Sequence, residues 1–241
     1  MDTRTPVSQS SYKILSSNAL KNIAIVAMFF DHFFAVFLPA NTWLWSLSRV
    51  PGRVVAPIMC YLIAQGFIHS SNLRKYGSRL LLFTLISHLP YVLYFKEHVW
   101  QKTSVMWSLF LGLVALTVAK RTAWALPLKV LAIGGLCLLA IPADWQFVAV
   151  LWILSFGLFA GRPSLQFLSF SLIGIFCHIL PALLSGSPYY IYEIGIFLAL
   201  PLLSLYNGKQ GKKSKLIKWG FYVFYPLHLL LFYAIRLITG I

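Results

Sequence analysis

The stretch LKNIAIVAMFFDHFFAVF, residues 20–37, is an apolar run long enough to cross a lipid bilayer as a helix, yet it contains Asp31 and His32. Similar apolar runs recur along the 241 residues, of which 59 % are hydrophobic and 10 % are charged. Soluble domains are about 25 % charged. The composition therefore excludes a soluble globular domain, a disordered chain and a disulfide-rich secreted module. We predict an all-α, polytopic helical membrane protein.

The apolar runs predict about nine transmembrane helices, because each run is long, continuous and bounded by polar residues. Together they form a single domain over residues 1–241, in which residues 1–20 are a polar cytoplasmic segment. The predicted spans are 21–40, 54–69, 79–95, 104–119, 127–141, 145–160, 165–184, 190–206 and 219–238.

The basic residues alternate between the predicted loops. The chain has 20 Lys and Arg against 5 Asp and Glu, a net charge of +15, which in a soluble protein would suggest nucleic-acid binding. Here 15 of the 20 cations fall on one side of the predicted topology, and cytoplasmic loops are the ones enriched in Lys and Arg. The distribution predicts a bacterial inner-membrane protein with its N-terminus inside, and a lipid bilayer rather than nucleic acid as partner.

Ionisable residues inside the spans are the informative ones, because a charge at a helix centre costs about 2.5–3.5 kcal/mol. Asp31 lies ten residues after Lys21, about 15 Å along a helix and close to the predicted bilayer midplane. Adjacent helical residues point about 100° apart, so Asp31 and His32 each need a partner from another helix. His88 and His228 lie at a similar depth in their own spans, and each is close to a proline.

The other acids lie nearer the ends of the spans. Asp2, Glu97 and Asp144 fall in predicted tails or loops, where we expect them to be solvated. Glu193 lies about five residues from a predicted outer loop and is a candidate substrate-binding residue, with Arg236 as a candidate ion-pair partner.

Two groups of cations are candidate anion ligands. Arg53, in GRVVAPIMCYLIAQGF (residues 52–67), could bind a carboxylate, a pyrophosphate or a carbonyl through its fork of donors. Arg74, Lys75 and Arg79 lie on the predicted cytoplasmic face, where a phosphate-rich donor could dock.

Histidines that lie at a similar depth in the membrane, as predicted for His32, His88 and His228, could serve three kinds of chemistry. These are general base catalysis of a group transfer, metal or haem ligation, and a proton relay. The residues alone leave these open. We predict no metal site, because the histidines lack a paired ligand spacing and the three cysteines form no CxxC pair.

Four stretches resemble the TraX family: the first run quoted above, the GRVVAPIMCYLIAQGF run, KYGSRLLLF at residues 75–83 and FYVFYPLHLLLF at residues 221–232. More distantly, the chain resembles acyltransferase-3 proteins and heparan-glucosaminide acetyltransferase. The resemblance implies a membrane acetyltransferase that uses acetyl-CoA, with a pilin amino terminus as the acceptor. An O-acetylated envelope glycan is the alternative acceptor.

The resemblance also implies residue roles. His32 would be the proton acceptor, and Asp31 would orient it or bind the ammonium group of the acceptor. Arg53 or His228 would donate to the oxyanion. His88 is a candidate substrate-binding residue, although it occupies a position at which many family members have an acid.

The cations Arg74, Lys75 and Arg79 would bind the CoA phosphates, so that the pantetheine arm reaches mid-membrane. Two other classes remain: a non-catalytic pilus-assembly or transport protein with a proton relay, and a haem or metal protein.

Overall fold

The computed structural model describes residues 13–212 and 214–240, and these residues form helices and loops. Asp2, with the first twelve residues of the predicted cytoplasmic segment, lies outside the described residues, as does Lys213. The α-helices are α1 (Ser17–Phe37), α2 (Trp43–Arg49), α3 (Val55–His69), α4 (Leu73–Phe95), α5 (Val105–Arg121), α6 (Leu126–Leu139), α7 (Gln146–Leu158), α8 (Pro163–Gly174), α9 (Leu180–Leu184), α10 (Ala199–Ser204) and α11 (Lys215–Thr239).

Irregular helical segments join several of these helices. A 3₁₀ segment, Val50–Val54, links α2 to α3, and another, Pro188–Leu198, leads into α10. A π-helical turn, Ile175–Ile179, separates α8 from α9. Such departures from α-helical geometry often occur at functional positions, and all three segments contribute residues to the polar networks described below.

Side-chain caps explain where two of the long helices begin. The Ser16 hydroxyl accepts a hydrogen bond from the backbone amide of Ala19 (3.2 Å) at the start of α1. The Asn72 side chain accepts from the amide of Lys75 (2.8 Å) at the start of α4. Each cap satisfies an amide that has no partner within its helix.

The all-helical membrane architecture predicted from the sequence is confirmed. Each of the nine predicted spans overlaps a helical segment. Within the described ranges, five helices are long and apolar enough to cross a membrane: Ser17–Phe37, Trp43–His69, Leu73–Phe95, Pro163–Leu184 and Ile217–Thr239. The segments Leu126–Leu139, Gln146–Leu158 and Pro188–Ser204 are apolar but shorter. The count of nine spans and the cytoplasmic N-terminus remain predictions.

Large apolar side chains cover the outside of the helix bundle. Leu131 is 73 % exposed and Leu184 is 76 % exposed. The helix α6 has no buried residue along its length. An apolar exterior of this extent would be unstable in water but matches the hydrocarbon of a bilayer.

Close packing of α5 against α7 forms the interior of the bundle. Trp152 and Phe156 of α7 are fully buried. Gly112 of α5 allows the approach, because a Cβ there would collide with the Cδ1 of Ile153 and lie 3.1 Å from its Cβ. Small residues at helix contacts allow this kind of packing in membranes.

Replacing Gly112 with alanine should therefore destabilise the bundle. We expect Gly112→Ala to lower the free energy of unfolding by about 1–3 kcal/mol, the usual cost of overpacking. Thermal unfolding of the detergent-solubilised protein measures the change. Gly134→Ala on α6 is the matched control, because no atom lies within 4 Å of a Cβ there. Equal losses in the two variants would contradict the packing argument.

Candidate functional site

A cavity of about 750 Å³ lies between α1, α3, α4 and α11. Along α1 its wall extends from Ser17 to His32, about 22 Å at 1.5 Å per residue. Four cations that border one end, on the predicted cytoplasmic side, form the cationic mouth: Lys21, Arg79, Lys209 and Lys218. The deep end is lined by Asp31, His32, Arg49, Arg53 and Asp144.

Two arginines share the carboxylate of Asp31. The Nε of Arg49 lies 3.0 Å from Oδ1, and an Nη of Arg53 lies 2.6 Å from Oδ2. Both guanidinium groups also lie over the ring of Tyr192, at 4.8 and 5.0 Å from its centroid. Asp31 is 6 % exposed and Arg53 is 8 % exposed, and charges this buried persist only when paired.

The glycine before Arg53 gives Asp31 its position. A Cβ on Gly52 would lie 2.5 Å from the Cγ of Asp31 and 2.6 Å from its Oδ1. Any side chain at residue 52 would therefore displace the carboxylate. In the GR pair at the start of the second apolar run, Gly52 thus lets the backbone approach Asp31 closely, and Arg53 forms the ion pair with it.

Arg53 also contacts a second acid. One Nη of Arg53 lies 3.5 Å from Oε2 of Glu193, and the Nε2 of His178 lies 2.8 Å from the same oxygen. Glu193 thus contacts Arg53 and His178, and it is not part of the cavity wall. Arg236 donates to the backbone carbonyl of Tyr94, and its pairing with Glu193 stays a prediction.

His32 and His228 form a direct hydrogen bond deep in the protein. The Nδ1 of His32 lies 2.7 Å from the Nε2 of His228, and the Nδ1 of His228 lies 2.8 Å from the backbone carbonyl of Phe224. The Tyr94 hydroxyl donates to the carbonyl of His32 (2.6 Å). Asp31 and His32 therefore have separate partners, as their angular separation on a helix predicts.

The carbonyl of Phe224 fixes the proton positions in this pair. A carbonyl only accepts, so the Nδ1 of His228 carries the hydrogen and its Nε2 is an acceptor. His32 then donates from Nδ1, which leaves the Nε2 of His32 unprotonated when both rings are neutral. His32 lines the cavity and His228 does not. Neutral His228 has no N–H left for an oxyanion, which corrects the donor role expected for it.

The structure changes the set of cations expected to bind phosphate. Of the three predicted residues, Arg79 lines the cavity, whereas Arg74 and Lys75 are exposed and do not. Lys209 reaches the mouth because the backbone amide of Ser17 donates to its carbonyl (2.9 Å). The sequence did not separate Arg79 from Arg74 and Lys75, because a loop charge pattern does not reveal which helix face borders a cavity.

His88 lies outside the cavity wall. Its Nδ1 is 3.2 Å from the hydroxyl of Thr103. The backbone of Thr103 in turn donates to the carbonyl of Pro142 (2.9 Å) and accepts from the amide of Asp144 (3.0 Å). Direct substrate contact by His88 is therefore not supported, and the residue instead braces the loop that carries Asp144.

The family model described as TraX protein matches residues 16–236. The chain belongs to the TraX family. A relative from Dichelobacter nodosus, named probable fimbrial assembly protein FimC of serogroup H1, is 30 % identical over 230 residues, which are 90 % of this chain and 93 % of the relative. No solved structure matches the chain.

Two residues of this TraX-family site were not predicted from the sequence. Arg49 precedes Arg53 by four residues, a spacing that places both on one helical face, and this signal was available. Asp144 was expected to be solvated in a loop. It does lie in a loop with an exposed side chain, where desolvation by the surrounding protein raises the pKa of its carboxyl against the opposing effect of Arg53 and Arg49. Its accessible surface borders the cavity.

The TraX-family chain shows no group of three or more His, Cys, Asp or Glu side chains arranged for a metal ion within residues 13–212 and 214–240. The rings of His32 and His228 are parallel to within 5° and hydrogen-bonded to each other.

Proposed function

We propose that this TraX-family chain is an integral membrane acetyltransferase, which transfers an acetyl group from cytosolic acetyl-CoA to an envelope acceptor, the amino terminus of a pilin. The observation that carries the proposal is the hydrogen bond of His32 to His228, from which we infer an unprotonated Nε2 on His32 at the deep end of a cavity whose mouth is cationic. A neutral imidazole with a free lone pair is the usual general base near neutral pH.

The cavity suits a CoA donor in charge and in length. Acetyl-CoA has a phosphate-bearing nucleotide at one end and a thioester at the other, joined by an extended arm. The cationic mouth would bind the phosphates, which cannot enter hydrocarbon. The apolar wall between mouth and deep end, with Ile25, Met28 and Met59, would accommodate the arm over about 22 Å. The thioester would then lie beside His32.

The reaction needs one base and one stabilised oxyanion. The Nε2 of His32 accepts a proton from the acceptor nitrogen as that nitrogen attacks the thioester carbonyl carbon. A C–N bond forms, the C–S bond breaks, and the leaving CoA thiolate takes the proton from His32. Arg49 and Arg53 line the same end of the cavity, where their guanidinium groups would stabilise the negative oxygen of the intermediate.

The acceptor is proposed from the relative, whose name describes a fimbrial assembly protein. That name supports a pilus-related role for this chain. It also supports a second candidate function, a pilus-assembly protein without catalysis. O-acetylation of an envelope glycan would use the same base with a hydroxyl acceptor.

Loss of the base tests the proposal. With radiolabelled acetyl-CoA and a peptide bearing the amino terminus of the host's mature pilin, His32→Ala should lose about 100-fold or more in kcat, the usual worth of a general base. His98→Ala, an exposed histidine, is the matched control and should retain full activity. Transfer unchanged in His32→Ala would refute the mechanism, and no transfer by the wild-type protein would favour the assembly role.

The hydrogen bond between the two histidines predicts a graded response at residue 228. In His228→Gln the side-chain carbonyl can still accept from the Nδ1 of His32, whereas His228→Leu leaves that donor without a partner. We expect the leucine variant to lose about 10–100-fold in kcat with little change in the KM for acetyl-CoA. The glutamine variant should recover most of this loss. Equal losses in both variants would contradict an orienting role.

The cationic mouth predicts which cations bind the donor. Lys209→Ala with Lys218→Ala should raise the KM for acetyl-CoA about tenfold, the scale of one lost charge-assisted contact. Arg74→Ala with Lys75→Ala removes the same charge from outside the cavity and should change that KM by less than about twofold. Steady-state kinetics on both double variants measure the difference. The reverse order of effects would refute this mode of docking.

A further inference from the structure

We propose that Asp144 is the binding site for the acceptor's ammonium group, and hence the residue that selects an amine over a hydroxyl. The inference rests on the proposed function, because it concerns the acceptor of that reaction. It is carried by the position of Asp144 in the cavity wall and by the charge balance around it.

The loop between α6 and α7 holds Asp144 rigidly. An isolated bridge pairs Thr103 with Ala143, and two backbone hydrogen bonds of 2.9 and 3.0 Å flank it. The side chain of His88, on α4, forms a hydrogen bond with the hydroxyl of Thr103. A held backbone at Asp144 favours ligand binding, because only the side chain then remains to be ordered.

The acids near the deep end of the cavity differ in whether they have an ion-pair partner. Asp31 is paired with Arg49 and Arg53, and Glu193 with Arg53 and His178. Within the described part of the chain, the Asp144 side chain has no hydrogen bond and no ion pair, since Arg49 and Arg53 act on it only at longer range.

Asp31 and Glu193 thus have ion-pair or hydrogen-bond partners within the protein, whereas the Asp144 carboxylate in the cavity wall has none among the described residues. Asp144 is an exposed carboxylate in the cavity wall, so its uncompensated charge favours a cation in the cavity. One ammonium group would complete the balance, whereas a hydroxyl would leave it uncompensated.

The protons balance when an amine enters as its ammonium ion. The bound ammonium transfers one proton to the Asp144 carboxylate and becomes a neutral amine. The amine then attacks the thioester, and its second proton passes through His32 to the CoA thiolate. Asp144 releases the first proton to water in the cavity. Burial raises the pKa of Asp144, which suits it to accept that proton.

Peptide binding in the absence of acetyl-CoA tests this site separately from transfer. The probes are the pilin amino-terminal peptide and the same peptide with a hydroxyl in place of its amino group. Asp144→Asn should weaken binding of the amine peptide about 10–100-fold, the worth of a charge-assisted hydrogen bond. It should leave binding of the hydroxyl peptide unchanged. Asp144→Glu retains the carboxylate and should retain the preference for the amine.

Glu97→Gln is the matched control, because it makes the same type of change at an exposed acid after α4. Thermal unfolding checks that all variants fold alike, and Asp144→Glu keeps the test decisive if the asparagine variant does not. Equal weakening of both peptides, or no weakening of the amine peptide, would overturn the assignment. If wild-type protein binds the amine through Asp144 but transfers no acetyl group, the proposed function fails and the binding site stands.

Discussion

The carboxylate of Asp31, held by two guanidinium groups, is the interaction on which the site depends. A buried acid in the middle of an apolar helix is tolerated only because Arg49 and Arg53 neutralise it. These contacts fix α1 against the Val50–Val54 segment, and Arg53 continues the network to Glu193 on a third element. The orientation of α1 is thus set by charge pairing in a protein whose other contacts are largely apolar.

That orientation determines where His32 points. Because Asp31 and His32 are neighbours on one helical turn, fixing the acid fixes the direction of the imidazole about 100° away. The ion pairs of Asp31 face the α2–α3 connection, whereas the neutral hydrogen bond of His32 faces His228 on α11. Keeping the two apart leaves His32 with an unprotonated nitrogen beside the cavity.

The sequence was sufficient to predict the all-helical architecture and to single out Asp31, His32 and His228 as candidates, but it did not predict which residues border the cavity. Apolar runs predict helices because lipid allows few alternatives, and Asp31, His32 and His228 stand out because ionisable residues are rare in such runs. Lys209 could not be found, because a long-range backbone contact brings it to the mouth. Asp144 could not be found either, because the sequence of a short loop gives no sign that it borders a cavity.

The carbonyl of Phe224 ends the chain of hydrogen bonds that begins at His32. A conducting proton wire needs groups that both take up and pass on a proton, and a peptide carbonyl at its terminus cannot pass one on. A proton that arrives at the Nε2 of His32 must leave on the side from which it came. The pair can therefore take up a proton at the Nε2 of His32 and return it there, but it has no group beyond His228 to which that proton could move.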